Sequence, residues 1–188
     1  MGRLIAPDAG LRVSFLAAMD EFAAEGRAGG RTMVGADLAE HGERWHTEAG
    51  FAAYLEAVRA EEHTPRWADF VTQTTRWWVE DGVYIGRVSI RHRLTEELRR
   101  LGGHVGYDVR RSRRREGHAT AMLGSALPLV ASLGIDPALI TCDTTNVASR
   151  RVIERNGGVL EDECDGALRF WVPTHCRPQA QFGSEVHP

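Results

Sequence analysis

The sequence contains no lysine, so all 23 of its basic residues are arginines. The formal net charge is −3, and the chain as a whole therefore has no general attraction for nucleic acid or for an anionic membrane. Its apolar runs are shorter than the ~20 residues of a membrane-spanning helix, and the N-terminal segment lacks the apolar stretch of a secretory signal. We expect a cytoplasmic protein that binds neither membranes nor nucleic acid.

Cysteine is scarce as well. Cys142, Cys164 and Cys176 are odd in number and show no CxxC or CxxH spacing, so the sequence predicts neither a disulfide framework nor a zinc site. We expect no metal. A chain of 188 residues, 43% of them hydrophobic, is long enough to bury a core and suits one folded domain.

The first part of the chain, residues 1–73, has helical patterns. Apolar residues recur at spacings of three and four in two segments, 11–22 and 51–62, which predicts two amphipathic helices. The segment between them, residues 26–50, is glycine-rich and weakly periodic. We interpret it as a loop that is a candidate for substrate contacts.

From Thr74 onward the pattern is typical of strands. Two β-rich runs are joined by Asp81-Gly82, which predicts a hairpin because Asp-Gly accepts the positive φ angles of a two-residue turn. Further strands are predicted at residues 104–109 and 138–143, with a helix between them that favours a parallel crossover. Pro128 lies inside that helix and predicts a kink or an interruption.

The remaining segments complete an α/β arrangement. A helix is predicted after Asn146, and a closing hairpin is predicted before Pro173. We interpret residues 1–173 as one domain, in which 74–172 form the core. The segment 174–188 is interpreted as a loose tail.

The arginine-rich segment Arg110–Thr120, RRSRRREGHAT, connects the strand at 104–109 to the next helix. A helix N-terminus attracts anions, and the residues Gly117 and Ala119 leave the backbone open to close approach by a phosphate. A nucleic-acid surface would also need aromatic residues between the arginines, and the segment has none. We favour a small phosphorylated ligand over two alternatives, a solvated loop and a nucleic-acid contact.

This segment resembles the pyrophosphate loop of the GNAT superfamily of acyl-CoA-dependent N-acetyltransferases. In that family the pattern Gln/Arg-x-x-Gly-x-Gly/Ala wraps the pyrophosphate of the cofactor, and Arg114, Gly117 and Ala119 match it. A second resemblance lies further along the chain. Asn146 and Ser149 occupy the positions where the family has an Asn that reaches the pantetheine arm and a Ser one helical turn later.

The resemblance covers residues 74–171 and implies both a fold and a cofactor. The implied fold is α/β, with a mixed, mostly antiparallel twisted sheet, a central parallel strand pair splayed apart, and helices on both faces. The implied cofactor is acetyl-CoA, with its pantetheine arm between the splayed strands. The cofactor-binding residues implied are Val109, Arg114, Arg115, Glu116, Gly117, His118, Ala119, Thr120, Asn146 and Ser149.

The catalytic groups are less well defined by the sequence. Ile153 stands where many family members have the tyrosine that acts as the acid. Ser149, water, Tyr107 and Tyr84 are the alternative proton donors. For the base we select His104, because it lies on the strand that leads to the thioester and histidine titrates in the useful range. A structural histidine bonded to the backbone is the alternative.

The acceptor side is predicted from residues of the neighbouring strands. Trp78, Glu80 and His92 are candidates for binding the substrate, and the last two are also weaker candidates for the base. Adjacent strand residues face opposite sides, so Trp77 and Trp78 differ in surroundings unless both pack in the core.

We interpret the protein as an N-acetyltransferase that acetylates a primary amine of a small molecule by direct transfer in a ternary complex. The alternatives are an aminoglycoside-type acetyltransferase, a protein N-acetyltransferase and a non-catalytic acyl-CoA sensor. Both a monomer and a homodimer remain open.

Overall fold

The computed structural model describes residues 1–29 and 32–175. The elements follow the order expected for the second half of the chain and add two in the first half. They are β1 (Arg3–Ile5), α1 (Arg12–Ala24), α2 (Met33–His41), α3 (Glu48–Ala60), β2 (Gln73–Glu80), β3 (Val83–Arg91), α4 (Glu96–Arg100), β4 (Val105–Val109), α5 (His118–Ser132), β5 (Ala138–Asp143), α6 (Val147–Arg155), β6 (Val159–Cys164) and β7 (Ala167–Val172).

The strands form two antiparallel sheets in the orders β1-β2-β3-β4 and β5-β7-β6. The crossover through α5 brings β4 beside β5, and the two strands meet where the His104 N–H donates to the Leu139 carbonyl at 2.7 Å. Within the described ranges no ladder joins them beyond this point. The strands therefore leave a wedge toward their carboxyl ends, which confirms the splayed pair.

Two hydrophobic clusters cover the two faces of the first sheet. Trp77 belongs to an N-terminal cluster that contains the buried aromatic side chains of α1 and α3. Trp78 belongs to a C-terminal cluster that joins both sheets to α5. Both indoles are buried, at 0% and 3% exposure. Both side chains therefore pack in the core, which is the second of the two possibilities given by the sequence. The period of two along β2 produces this division.

The segment 26–50 contains a helix, α2, so its interpretation as a loop is wrong. The Thr32 hydroxyl caps the helix by accepting the Gly35 N–H at 3.1 Å. Its buried face carries a charged residue, Asp37, which accepts hydrogen bonds from the side chains of Tyr54, Arg66 and Arg87. A carboxylate on the inward face hides the helical period of the apolar residues.

Helix α5 continues through Pro128, so the predicted interruption is also wrong. Pro128 is exposed, which lets water bond the carbonyl that loses its helical partner. Met122, Leu123, Ala126 and Val130 are buried before and after it and hold the helix on the sheets. Burial of each large side chain contributes about 1.5–3 kcal/mol to stability, and together these contributions exceed the cost of the proline.

The hairpin turns agree with the sequence. Asp81 and Gly82 have φ angles of 50° and 74°, as the two-residue turn requires. Strand β1 was not predicted, because three residues are too short to show a period. Among the described residues, no helix is long and apolar enough to cross a membrane. Cys176 and the predicted tail from residue 176 onward lie outside the described residues.

Candidate active site

The backbone of β4 lines one side of the wedge. Hydrogen bonds to β3 use His104 and Arg110, at the two ends of the strand. Because alternate residues of an antiparallel strand face the same way, the peptide groups of Val105, Tyr107 and Val109 point away from β3. They face the wedge, where an extended ligand can hydrogen-bond to the peptide groups of Val105 and Tyr107 and to the Val109 N–H, since the Val109 carbonyl already accepts Arg114 Nε.

The connection from β4 to α5 forms a concave backbone surface. Arg115 and Gly117 have positive φ angles of 65° and 86°, and no side chain caps the helix. The first-turn N–H groups of His118, Ala119 and Thr120 are therefore available to an anion. Apart from Gly117 and its two chain neighbours, no described residue has an atom within 4 Å of the position of a Cβ on Gly117, so a phosphate has room to approach.

Helix α6 supplies the other side of the wedge. Asn146 Oδ1 caps the helix by accepting the Ser149 N–H at 3.0 Å, which leaves the Asn146 amide N–H groups for a ligand. The Tyr107 hydroxyl, on the face of β4 that packs against the C-terminal cluster, donates to the Ser149 carbonyl at 3.3 Å. Burial raises the pKa of Tyr107 to about 12, so this hydroxyl keeps its proton at neutral pH.

Asp108 lies on the opposite face of β4, toward the N-terminal helices. Its carboxylate accepts a hydrogen bond from Arg27 at 2.5 Å and is 14% exposed. Asp108 was not among the residues predicted from the sequence. The alternation in Val105–Val109 was the available signal, because it places the carboxylate of Asp108 and the phenol of Tyr107 on opposite faces.

His104 joins the two splayed strands. Its Nδ1 accepts the Leu139 N–H at 2.9 Å, so Nε2 carries the ring hydrogen and cannot accept a proton in this tautomer. Burial, with Arg99 and Arg91 nearby, lowers the pKa of His104 to about 4. These contacts favour the alternative of a structural histidine over the predicted base.

Several predicted cofactor residues have side chains that bond within the protein. Arg114 donates to Glu25 and to the Val109 carbonyl, and His118 accepts the Trp78 indole N–H at 3.2 Å. Their backbone groups, rather than these side chains, remain available to a ligand. Glu116 accepts hydrogen bonds from Arg113 and His118 at the rim of the loop.

The predicted acceptor residues do not lie together. Trp78 and Glu80 contact the loop residues His118 and Arg113, so they lie beside the backbone that is predicted to bind phosphate. His92 bonds to Thr74 at 2.9 Å. Thr74 is four residues before Trp78 on β2, which corresponds to about 13 Å of strand. The three residues therefore do not form one pocket.

The other candidates from the sequence are also located. Tyr84 is fully buried in the N-terminal cluster, on the face of the sheet opposite Tyr107. Ile153 is buried in the C-terminal cluster and faces the core. Over residues 1–29 and 32–175, no group of three or more His, Cys, Asp or Glu side chains is placed to hold a metal ion.

The fold and the site define a class. Splayed strands with inward-facing peptide groups, followed by an uncapped helix N-terminus, suit an extended ligand that carries an anionic group. The family model of the acetyltransferase (GNAT) domain matches residues 31–159, more than half of the chain. The protein belongs to the GNAT family and is an acetyl-CoA-dependent acetyltransferase.

Three solved structures illustrate the likeness in fold. RimJ of Mycobacterium smegmatis, in complex with CoA-disulfide, is 18% identical with a TM-score of 0.64, over 92% of this chain and 81% of that chain. The microcin C7 self-immunity acetyltransferase MccE, in complex with acetyl-CoA and AMP, is 11% identical with a TM-score of 0.61, over 92% of each chain. RimL, a ribosomal L7/L12 alpha-N-protein acetyltransferase in complex with coenzyme A, is 14% identical with a TM-score of 0.58, over 90% and 92%. Comparison with curated proteins gave no match.

Proposed function

We propose that the protein transfers the acetyl group of acetyl-CoA directly to a primary amine of a small molecule in a ternary complex. The observation that carries this proposal is the pair Tyr107 and Asp108. The protonated phenol lies beside α6 on one face of β4, and the carboxylate lies on the opposite face of the same strand. A reaction that moves a proton away from nitrogen and toward sulfur needs one group of each kind.

The cofactor would be held mainly by backbone groups. The N–H groups from Arg115 to Thr120 would bind the pyrophosphate, and the Asn146 amide would donate to the pantetheine arm. The positive φ of Gly117 and the open space beside it fit this role. Acetyl-CoA supplies the acetyl thioester, and the inward-facing Val109 N–H would stabilise the charge that develops on the thioester oxygen.

The acceptor would enter from the face that carries Asp108. The Asp108 carboxylate attracts the ammonium form of the amine and accepts its proton, directly or through water. The amine nitrogen then bonds to the acetyl carbon as the carbon–sulfur bond breaks. The Tyr107 hydroxyl would turn from the Ser149 carbonyl and donate its proton to the departing sulfur, which leaves as the thiol. The second proton of the attacking nitrogen would return to the Tyr107 oxygen through water.

A protein α-amine is the second candidate acceptor. It is supported by the likeness of this fold to RimL, which acts on the N-terminus of a ribosomal protein. Arg27 lies over Asp108, and both side chains are mostly covered, at 24% and 14% exposure. An entrance bordered by these two covered side chains would admit a narrow group, and both a small amine and the first residue of a peptide provide one.

The test is release of CoA thiol from acetyl-CoA across three panels: small primary amines, aminoglycosides and peptides with free N-termini. Turnover with a small amine is expected. Turnover with peptides alone would reassign the acceptor, turnover confined to aminoglycosides would narrow it to that class, and binding of acetyl-CoA without turnover would favour the sensor.

A loop variant serves as the control. Gly117→Glu places a carboxylate where the phosphates would bind and should abolish acetyl-CoA binding in calorimetry. Unchanged binding by this variant would remove residues 115–120 from the proposed site.

A further inference from the structure

Glu21 lies on the side of α1 that faces the start of the pyrophosphate loop. Its carboxylate accepts hydrogen bonds from two residues of that loop. Arg110 donates to it through Nε and Nη2, at 2.9 and 2.5 Å. Ser112 donates its backbone N–H at 2.9 Å and its hydroxyl at 2.8 Å. Burial opposes ionisation of Glu21, but these hydrogen bonds outweigh it and lower its pKa. One carboxylate therefore fixes the backbone where β4 ends.

Glu25, one helical turn further, holds the next part of the loop. Both terminal nitrogens of Arg114 donate to the Glu25 carboxylate, at 2.6 and 2.7 Å, and Arg114 Nε donates to the Val109 carbonyl at 2.9 Å. This arrangement closes the chain from Val109 to Arg114 into a defined turn. The turn leads directly into the positive φ angles at Arg115 and Gly117 that shape the anion-binding backbone.

These contacts divide the arginines of the loop into two groups. Arg110, Arg113 and Arg114 are each paired with carboxylates of the protein itself. Arg111 and Arg115 make no side-chain hydrogen bond or ion pair within the described part of the chain. Only the second group has guanidinium groups available to the phosphates of a ligand.

Long-range electrostatics alone would make Glu21 and Glu25 unfavourable. Both are negative charges next to a proposed site for a polyanionic cofactor, and like charges repel. Neutralising either of them should then strengthen cofactor binding. If their function is to shape the loop, the same neutralisation should weaken binding. The sign of the effect separates the two explanations.

We propose that Glu21 and Glu25 are positioning residues, which hold the pyrophosphate loop in its binding conformation through Ser112, Arg110 and Arg114. Arg114 acts through this contact and does not bind phosphate with its side chain. The inference rests on the proposed binding of the pyrophosphate by residues 115–120, at the end of the segment Arg110–Thr120 called the pyrophosphate loop, and it extends that proposal to helix α1.

The experiment measures CoA affinity by isothermal titration calorimetry on the full chain. Glu25→Gln should weaken binding about fivefold, the upper range for a partly exposed pair. Glu21→Gln, which disturbs hydrogen bonds from two loop residues, should weaken it about tenfold. Asp20→Asn is the matched control, because Asp20 is exposed on the same helix and has no ion pair among the described residues. It should bind as wild type or slightly more tightly.

A double-mutant cycle supplies the second readout. If Arg114 acts through Glu25, the Kd for CoA of the double variant Glu25→Gln/Arg114→Gln should be no higher than that of the single variant with the lower affinity. Losses that add would mean that Arg114 contacts the phosphates itself, and this overturns the proposal. Tighter or unchanged binding by Glu21→Gln and Glu25→Gln also overturns it.

Two further observations keep the outcomes separate. A variant that only folds less well lowers the calorimetric stoichiometry and leaves the affinity of its folded fraction unchanged, which also overturns the positioning role. The proposed site fails independently if Gly117→Glu binds CoA as well as wild type does.

Discussion

Tyr107 and Asp108 are adjacent residues with different surroundings. Tyr107 projects toward the C-terminal cluster and contacts the Ser149 carbonyl, whereas Asp108 projects to the other face and pairs with Arg27. The cause is the alternation of side chains along a strand. Because Ile153 faces the core, we propose that the phenol on β4 is the proton donor.

Tyr107→Phe tests this role. The variant should lower kcat about 100-fold, the size of a lost general acid or hydrogen-bond donor, and should leave the KM for acetyl-CoA nearly unchanged. Thiol release measures both constants. Tyr84→Phe is the matched control, since its hydroxyl is buried on the opposite face. A slow Tyr84→Phe enzyme together with a normal Tyr107→Phe enzyme would reverse the assignment.

His104 should make stability depend on pH. The histidine takes up a proton near its ordinary value of 6.5 when the chain is unfolded, but its pKa is about 4 when folded. The unfolded chain therefore binds more protons in this window, and the free energy of unfolding should fall by about 3 kcal/mol as the pH drops from 6.5 to 4. Above pH 6.5 the contribution is fully present.

The measurement is urea denaturation of wild type and His104→Gln across this pH range. The difference in unfolding free energy between them should shrink as the pH falls. Parallel curves would show that His104 does not titrate in this way. A folded His104→Gln enzyme that has lost turnover at pH 8 would instead support the catalytic prediction.

At the scale of elements, the sequence predicts features that depend on neighbouring residues and does not predict contacts between distant segments. Asn146 as a cap, the Asp81-Gly82 turn and the glycine of the loop all act through neighbouring residues, so their patterns are readable in one segment. The contacts between α1 and the pyrophosphate loop join residues about 90 positions apart, such as Glu21 and Arg110. No local pattern encodes that pairing, so the arginines looked unpaired.

Helix α2 is an element whose attachment depends on one buried charge. Asp37 is 1% exposed and binds Arg66 and Arg87, whose positive charges outweigh the effect of burial and lower its pKa. Asp37→Asn should reduce the free energy of unfolding by about 3 kcal/mol, because Arg87 would remain buried without its counter-charge. Chemical denaturation measures the loss.

A surface carboxylate provides the comparison for Asp37. Asp69 is exposed and has no ion pair in the described ranges, so Asp69→Asn should stay within about 0.5 kcal/mol of wild type. Equal stabilities of Asp37→Asn and wild type would mean that α2 is held by its apolar contacts alone.

At the scale of the whole molecule, β2 connects the two hydrophobic clusters. Trp77 is packed in one cluster and Trp78 in the other, so neither cluster can be exposed without disturbing the strand they share. We propose on this basis that residues 1–173 form one domain, with the helical part and the core unfolding together.

This proposal predicts one cooperative transition. Tryptophan fluorescence and far-ultraviolet circular dichroism should give the same midpoint in urea, because both clusters are lost in one step. Separate midpoints, with helix lost before the sheets or after them, would divide the chain into two units.

Binding of acetyl-CoA in the wedge between β4 and β5, as proposed, would connect the stability of the enzyme to its substrate supply. A ligand that pairs with the inward-facing peptide groups binds the folded chain only, and at 100 times its Kd it adds about 2.7 kcal/mol to stability. A gain of that size changes the fraction of unfolded molecules that proteases can degrade. The lifetime of the enzyme in a cell should therefore rise and fall with the concentration of acetyl-CoA.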